Sequence, residues 1–452
     1  DAVGNVAVSN NSISNTVNAT IEGGTISTGK VSVEATDGKI SINGTEVADN
    51  SHVNDLNTKN ADDTTNAIFD LTGEDAMANA NGKDGSDMNA TVEKDNKNSA
   101  NYTHSNIEVK NKGNTIVGTA LGLGVKTGSS DKASAAGAAA AVVNSVKNNF
   151  TASVKGATIS TGTSGTNDAA MKVAAFSDTK MIGVAAGVAA TVKSGEKASF
   201  AASGSGVRQS IQNETTATVE DTTVNTDHLK ISGETSSTLV SVAGQVSAET
   251  GESGVAAGLT WANNRLKNTT GAYAKGLTLS GISGGETNLD VTGTNNSSAW
   301  AVAAGASVSL GNGAVEGAGA INEGTNNTEA MVDGATITKA KSVQVKATDA
   351  ASAKAIAGTV AVAVSKGDKP SATIGGSISY NNIGNSATDK QHVTAKLNNA
   401  TITTAEEADI QVVADNETHF LNLALGGAVR TGSSSGGAAQ GSVAITTLYT
   451  DT

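Results

Sequence analysis

One motif returns along the chain and limits what the chain can fold into. Its clearest copy spans residues 326–347 and reads NNTEAMVDGATITKAKSVQVKA. Seven copies align on one apolar position, occupied by Ile21, Val92, Val154, Val219, Ala274, Val332 and Leu397. In sequence number, successive members of this set differ by 71, 62, 65, 55, 58 and 65. Repeats of this size are typical of solenoids, in which each unit leaves an apolar face that only the next unit covers. We therefore expect one elongated body.

Within each repeat, apolar and polar residues alternate with a period of two, which predicts β-strands. Val343, Val345 and Ala347 are separated by single polar residues, and β-branched residues dominate such runs. Alanine-rich runs such as residues 135–143 leave a helical alternative open, since Ala is the best helix former. These runs are short and bounded by glycine turns, which favours strands. The alternation predicts the following orientations: Val343, Val345, Val360 and Val362 point inward, and Lys341 and Lys346 point outward.

The repeat length predicts how many coils the solenoid has. A mean period of about 63 residues, divided by roughly 20 residues for a β-helix coil, gives about three coils per repeat. The prediction is therefore an all-β, parallel β-helix with roughly 20 coils. At about 4.8 Å per coil it forms a rod on the order of 100 Å long.

Composition excludes several classes of protein and function. Aromatic residues make up only 2% of the chain while hydrophobic residues reach 37%, so a slender core of small and β-branched side chains fits better than a thick globular one. A net charge of −13 argues against nucleic-acid binding, which selects basic stripes. No apolar run reaches the length of roughly 18 residues that would predict a transmembrane helix. The absence of cysteine excludes disulfides and Cys-ligated metals.

One segment departs from the repeat. Residues 43–106 carry twelve Asp or Glu against four Lys and alternate poorly, so we interpret them as an acidic insertion between a repeat at 1–42 and the repeats of 107–452. Long insertions in solenoids project from one face and are often functional. If the protein has a specific binding site, we expect it here, at Asp62, Asp63, Asp70, Glu74 and Asp75. A plain acidic loop is the alternative.

The same insertion contains the only candidate for a metal site. Residues 81–87, Asn-Gly-Lys-Asp-Gly-Ser-Asp, are rich in oxygen ligands and turn at glycine, which makes Asp84 and Asp87 candidate Ca²⁺ ligands. The segment does not fit the EF-hand pattern, and an acidic turn without metal is the alternative. The histidines share no metal-ligand spacing; they are His52, His104, His228, His392 and His419. No other cofactor is expected.

Asparagine recurs just before the aligned apolar strand of the repeat. The recurring positions are Asn15, Asn148, Asn213, Asn268 and Asn326. Such residues satisfy turn backbone, and stacked copies form hydrogen-bonded ladders. Trp261 and Trp300, the only tryptophans, adjoin strands of small residues, where they serve either as a ligand platform or as corner-covering residues.

Catalysis is not expected. β-helix enzymes that act on polysaccharides need clustered carboxylates with a base or a metal in one groove. Most acidic residues outside the insertion stand singly at turns, and no acid, base and nucleophile recur together at equivalent repeat positions.

The repeat resembles a known family. The run Asn326-x-Thr-x-Ala-x-Val-x-Gly-Ala-Thr-Ile337, followed by Val-x-Val-x-Ala and a small-residue strand, is similar to repeats of giant secreted bacterial adhesins. These are the filamentous-haemagglutinin-like and leukotoxin-like exoproteins and the autotransporter passengers. The resemblance implies a right-handed parallel β-helix at the cell surface or secreted, with an outer-membrane export partner outside these residues. Its expected partners are host-cell or matrix proteins or glycans, and its expected role is a non-catalytic display rod.

Two alternative functions stay open. Both ends of the chain stop at nearly the same phase of the repeat, which is compatible with end-to-end self-association into a filament. The other alternative is a β-helix enzyme that acts on polysaccharide.

Overall fold

The computed structural model describes residues 2–36, 40–42, 45–48, 91–95, 99–110, 115–128, 133–163, 169–193, 197–365, 369–384, 386, 390–432 and 435–452. Between residues 40 and 110 only the backbone is described.

Nearly all of the described chain is β-strand. In chain order the strands are β1 (Ala2–Glu22), β2 (Thr25–Ser27), β3 (Val31–Thr36), β4 (Ile40–Ile42), β5 (Thr45–Ala48), β6 (Thr91–Asp95), β7 (Ser99–Lys110), β8 (Thr115–Gly128), β9 (Ser134–Lys155), β10 (Thr158–Ser160), β11 (Met171–Lys193), β12 (Ala198–Glu220), β13 (Thr223–Asn225), β14 (His228–Glu249), β15 (Ser253–Lys275), β16 (Thr278–Ser280), β17 (Thr287–Ser309), β18 (Gly313–Asp333), β19 (Thr336–Val364), β20 (Ser371–Ile383), β21 (Gln391–Asn398), β22 (Thr401–Thr431), β23 (Gly436–Leu448) and β24 (Thr450–Asp451). A single 3-10 turn, Ile282–Gly284, lies between β16 and β17.

The strands stack in parallel, which confirms the prediction of an all-β parallel solenoid. Sheet A runs β1-β9-β12-β15-β18-β20-β23, with β21 and β24 continuing its last two levels. Sheet B runs β8-β11-β14-β17-β19 and continues to β22, and β3 shares the first level with β8. The short strands β2, β10, β13 and β16 form a narrow third stack that joins sheet B through β19.

Each repeat makes one coil, so the prediction of about three coils per repeat is wrong. Val154 pairs directly with Val219, and Met171 pairs directly with Leu229. In both pairs the two partners occupy the same position of consecutive repeats, so a whole repeat separates each residue from its neighbour in the next level. The described chain makes seven levels in sheet A. This stack is roughly 30 Å high and, with strands of 23 residues in β11, roughly 75 Å wide. The predicted rod was too long and too thin.

The alignment of the repeats is correct at six of its seven positions. Ile21, Val154, Val219, Ala274, Val332 and Leu397 lie in one column of sheet A. The seventh position, Val92, lies in β6, which pairs antiparallel with β7. Because Ile21 pairs with Val154 directly, these two residues are in adjacent levels although two repeat lengths separate them in sequence. The motif around Val92 is therefore part of the insertion and not a repeat.

Each coil has two halves with different interiors. In the broad half, the short strands hold sheets A and B apart, and the interior is an aliphatic core that includes Phe150, Val219, Leu229 and Leu289. Val343 and Val345 lie in this core and are fully buried, as predicted. Lys346 alternates with them on the outside, as predicted, and Lys341 is exposed as well, because the register shifts between Ala340 and Ser342.

In the thin half, between the broad half and the turns that join sheet B to sheet A, the two sheets touch. A methyl group on Gly187 would lie 2.5 Å from the carbonyl oxygen of Gly204, and one on Gly124 would overlap the carbonyl oxygen of Gly137. At these closest contacts only small side chains fit, and the interior cluster there is mostly alanine, including Ala185, Ala243, Ala303, Ala320 and Ala357.

Val360 and Val362, on sheet B in the thin half, point outward, which contradicts the prediction for them. Val360 is 49% exposed, and Val362 has the same orientation two residues later. The inward positions beside them are Ala357, Ala361 and Ala363. Along β19 the space between the touching sheets admits alanine and not the larger side chain, so valine faces outward there.

Candidate functional site

The acidic insertion leaves the solenoid at one point. Along β11, Phe176 pairs with Thr36 and Lys180 pairs with Thr115. Only residues 177–179 of β11 face the gap between these partners. Residues 37–114 are therefore inserted into what is otherwise one strand of sheet B, at its first level. The predicted bounds of 43–106 fall inside this segment and stay a prediction.

The predicted site residues of the insertion lie outside the described residues. They are Asp62, Asp63, Asp70, Glu74, Asp75, Asp84 and Asp87. What is described of the insertion is backbone. Strands β4 and β5 form an antiparallel pair, and β6, β7 and β8 form an antiparallel run. Strand β7 pairs with β8 on the side away from β11, so the insertion occupies the outer edge of sheet B at this end of the stack.

The predicted asparagines form one inward-facing column, named here the first ladder, in which Asn15 at the end of the stack is half-buried and the others are buried. Its members are Asn15, Asn148, Asn213, Asn268 and Asn326, each paired with the next across sheet A. The side-chain amide of Asn148 donates to Oδ1 of Asn213 at 3.0 Å. That of Asn268 donates across to sheet B, to Oδ1 of Asn295 at 3.0 Å. The column therefore joins levels within sheet A and also joins sheet A to sheet B.

A second ladder, which the sequence analysis missed, lies four residues earlier in each copy. Its members are Asn11, Asn144, Gln209, Asn264, Asn322 and Asn381. Asn264 donates to Oδ1 of Asn322 at 2.9 Å, and Asn322 donates to Oδ1 of Asn381 at 2.8 Å. The signal was present in the sequence: an amide residue recurs four positions before each ladder asparagine. An even separation within a strand places both residues on the same face.

Asp349 brings a carboxyl group into the ladder region from sheet B. Its column also contains Ser177, Thr235 and Asn295. Asn295 donates to Oδ2 of Asp349 at 3.0 Å, and Thr328 donates to the same oxygen at 3.1 Å. Burial raises the pKa of Asp349 to about 6, against the lowering effect of these two hydrogen bonds. The group is placed to change its charge inside the protein near neutral pH.

Two further carboxyl groups lie inside the thin half. Glu249 accepts hydrogen bonds from Ser309 at 3.0 Å and from Ser199. Glu316 accepts from Ser307 at 2.6 Å and from Gln245. Burial raises the pKa of both carboxyl groups, and the hydrogen bonds from these neighbours lower it in part. Sequence reasoning missed them because it placed most acidic residues of the repeats at solvent-facing turns.

The two tryptophans lie on opposite sheets and do not form one platform. Trp261 is on the outer face of sheet A, and Trp300 is on the outer face of sheet B. The Lys354 ammonium lies 4.0 Å from the centroid of the Trp300 ring. Trp261 covers the backbone at Gly319, where an added methyl group would overlap its ring. This contact agrees with the covering role.

The histidines of the described chain contact single carboxylates. His228 Nε2 lies 2.8 Å from Asp290 Oδ2, and His419 Nε2 lies 2.9 Å from Glu417 Oε1. Within the described ranges, no three His, Cys, Asp or Glu side chains come together where a metal ion could bind. His52 and His104 fall where side chains are not described.

Among the described residues there is no helix long and apolar enough to cross a membrane. No protein-family model matches this sequence, and neither curated proteins nor solved structures give a significant match.

Proposed function

We propose that this chain is a section of a non-catalytic display scaffold of the bacterial cell surface, in which the solenoid presents the acidic insertion to a binding partner. The observation that carries the proposal is the way the insertion is attached. It interrupts one strand between Thr36 and Thr115, while β11 runs past the gap without a break.

The scaffold tolerates such an insertion because its core does not depend on it. Val31, Val33 and Ala35 of β3 are buried in the same aliphatic core as β11, and Ile116 of β8 is buried in the next cluster. The ladders hold successive levels together on the opposite sheet. In a solenoid each level is stabilised mainly by its neighbours, so a long excursion from one level leaves the others intact.

The charge of the insertion supports a binding role. Residues 43–106 hold a net −8 of the chain's −13, which favours a partner surface that is basic or that binds cations. The resemblance of the repeats to secreted adhesins adds a partner class: a host-cell or matrix protein or glycan, met outside the cell. Export then requires an outer-membrane partner beyond these residues. The candidate Ca²⁺ ligands Asp84 and Asp87 belong to the same proposal.

Deleting the insertion tests the proposal. A chain in which Ser-Asp-Thr, the sequence of residues 177–179, replaces residues 37–114 is expected to fold but to lose binding to host cells or matrix. A second variant changes five acidic residues to amides, and we expect it to lose most of the binding with the insertion retained; they are Asp62, Asp63, Asp70, Glu74 and Asp75. The matched control changes Glu234, Glu252 and Asp415 of the repeats to amides and should bind normally. Undiminished binding by the deleted chain would refute the proposal.

The two alternatives make different predictions. End-to-end stacking into a filament needs free strand edges at both ends, and β7 occupies the outer edge of β8 at one of them. This pairing disfavours the filament. A polysaccharide-acting enzyme would cleave acidic or neutral polysaccharides in a screen, and a single carboxylate substitution would abolish the cleavage. That result would favour the enzyme over the display function.

A further inference from the structure

The outer face of sheet B in the thin half is a flat apolar surface, called here the sheet B apolar face. Six strands contribute five outward positions each, in five columns along the stack. The positions are Val117, Thr119, Leu121, Leu123 and Val125 of β8; Ile182, Val184, Ala186, Val188 and Ala190 of β11; Val240, Val242, Gly244, Val246 and Ala248 of β14; Trp300, Val302, Ala304, Ala306 and Val308 of β17; Lys354, Ile356, Gly358, Val360 and Val362 of β19; and Leu421, Leu423, Leu425, Gly427 and Val429 of β22.

Thr119 and Lys354 are the only hydroxyl-bearing or charged residues among these thirty positions. Val246 is 43% exposed and Val360 is 49% exposed. A large contiguous apolar surface is uncommon on a soluble monomer and marks a surface that another molecule covers. The chain is acidic overall, yet no Asp or Glu occupies any of these thirty positions.

We propose that the sheet B apolar face packs against the same face of a second copy of this chain. Its size supports a protein partner. Ten residues of strand by six strands cover roughly 33 Å by 29 Å, on the order of 900 Å². A stable protein interface of standard size buries about 800 Å² on each partner. The face therefore suffices for a stable dimer without any other contact.

The face has columns of small and of larger side chains, and this arrangement supports a partner of the same shape. One column has small residues at its four middle levels and forms a groove there, which Leu121 and Leu425 close at its two ends; the small residues are Ala186, Gly244, Ala304 and Gly358. The neighbouring columns carry larger residues, Val302 and Ile356 on one side among them. A copy turned through 180° presents the same ridges, and a shift of one column, about 7 Å, seats a ridge in the groove. Such a two-fold contact is isologous and closes as a dimer.

Charge favours a second copy over a lipid surface. Adsorption to anionic lipid is driven by clusters of Lys and Arg beside the apolar residues. The only cation among the thirty positions is Lys354, which lies over the Trp300 ring. The outer face of sheet A is less suited to flat packing, because Leu259 and Trp261 stand above the glycines Gly317 and Gly319 of the next strand.

Sedimentation equilibrium of the full chain tests the proposal. We expect a monomer–dimer equilibrium, which the double variant Val246→Glu and Val360→Glu shifts to monomer by at least a hundredfold in dissociation constant. The matched control, Ser232→Glu and Thr348→Glu, introduces the same charges at outward positions of the broad half on the same two strands, and it should dimerise like the parent. Circular dichroism confirms that each variant is folded.

A crosslinking experiment tests the dimer a second time, without a substitution that weakens the interface. The chain has no cysteine, so a single Gly358→Cys substitution places one thiol in the groove, where nothing lies within 4 Å of an added Cβ. A short bismaleimide should link two such chains across the interface, and it should not link Ser232→Cys chains, whose thiols lie in the broad half. A parent chain that stays monomeric at all concentrations would overturn the proposal. So would a monomer that binds neutral phosphatidylcholine vesicles through this face, which would assign the face to lipid.

This dimer is independent of the proposed display function. Loss of dimerisation in the face variants with binding retained would support both proposals. Normal dimerisation with no loss of binding in the deleted chain would refute display alone.

Discussion

Asp349 makes the stability of the solenoid depend on pH. Its pKa in the folded protein, about 6, lies above the ordinary value of 3.8, so folding favours the protonated form. The stability that the neutral acid contributes is complete below pH 4 and is lost as pH rises through 6. Above that, the ionised group costs about 3 kcal/mol, at about 1.4 kcal/mol per pKa unit.

We predict that Asp349→Asn stabilises the protein at pH 7.5 by up to about 3 kcal/mol and changes little at pH 4. An amide fits this column because Asn295 and Asn416 occupy it on the adjacent strands. Denaturant unfolding at the two pH values measures the effect. Asp415→Asn, at an exposed position on the neighbouring strand, serves as the control and should show no such difference. Equal stability of Asp349→Asn and the parent at pH 7.5 would contradict the assignment.

Asn268 is the most connected member of the first ladder. Its amide donates to Ser297 Oγ at 2.9 Å and to Asn295 Oδ1 at 3.0 Å. We predict that Asn268→Ala destabilises the protein by about 2 to 4 kcal/mol, because buried polar groups lose their partner. The outward-facing Asn296→Ala should change stability by less than about 0.5 kcal/mol. Urea denaturation midpoints compare the two. Similar midpoints would show that the ladder does not stabilise the levels.

At the scale of the element, strand parity explains the error in the orientation of the valines. β19 runs from Thr336 to Val364, and after Ser342 its pairing continues without a shift in register. Val345 and Val360 are separated by an odd number of positions, so an unbroken strand places them on opposite faces. The sequence shows the alternation of Val and Ala in the second half of β19. It does not show which of the two faces inward, because both are apolar, and here the touching sheets select the smaller one.

This parity makes a matched pair of substitutions informative. We predict that Val345→Asp prevents stable folding, since it introduces an unpaired charge into the aliphatic core. In the monomer, Val360→Asp on the same strand should cost less than about 1 kcal/mol, because its side chain faces outward. Thermal unfolding of the two variants distinguishes them. Equal losses of stability would mean that Val360 is buried after all.

Glycine residues of the thin half lie where sheets A and B touch, so substituting them tests this contact. We predict that Gly187→Ala costs about 1 to 3 kcal/mol, because the added methyl group would approach the carbonyl oxygen of Gly204. Gly137→Ala is the control, since the added methyl group would point outward and the aligned positions in the next levels are Ala202 and Ala257. It should be neutral or slightly stabilising. Unfolding midpoints measure both, and a neutral Gly187→Ala would show that the sheets are further apart.

For the whole molecule, the sequence was sufficient to predict stacked parallel strands and the column of asparagines. It was not sufficient to predict the size of a coil. That size depends on which strands face each other, and in the thin half the glycines and alanines of sheets A and B lie in contact although distant in sequence. Without that pairing, a repeat of this length is compatible with either three narrow coils or one wide one. Val92 shows the same limit, because a matching motif does not specify the direction of pairing.

Strand β7 covers the outer edge of β8 at one end of the stack. Replacing residues 37–114 by Ser-Asp-Thr joins β3 to β8 in one strand and removes β7, which leaves the outer edge of β8 unpaired. An unpaired edge recruits other strands. We therefore predict that this variant keeps the β-sheet circular dichroism of the parent and forms larger assemblies than the parent. A shorter deletion, of residues 49–90 with a Gly-Ser link, retains β7 and should assemble as the parent does. Light scattering measures the mass of all three chains. If the two deletions assembled to the same extent, β7 would not protect the edge, and end-to-end stacking would become the better account of how this chain associates.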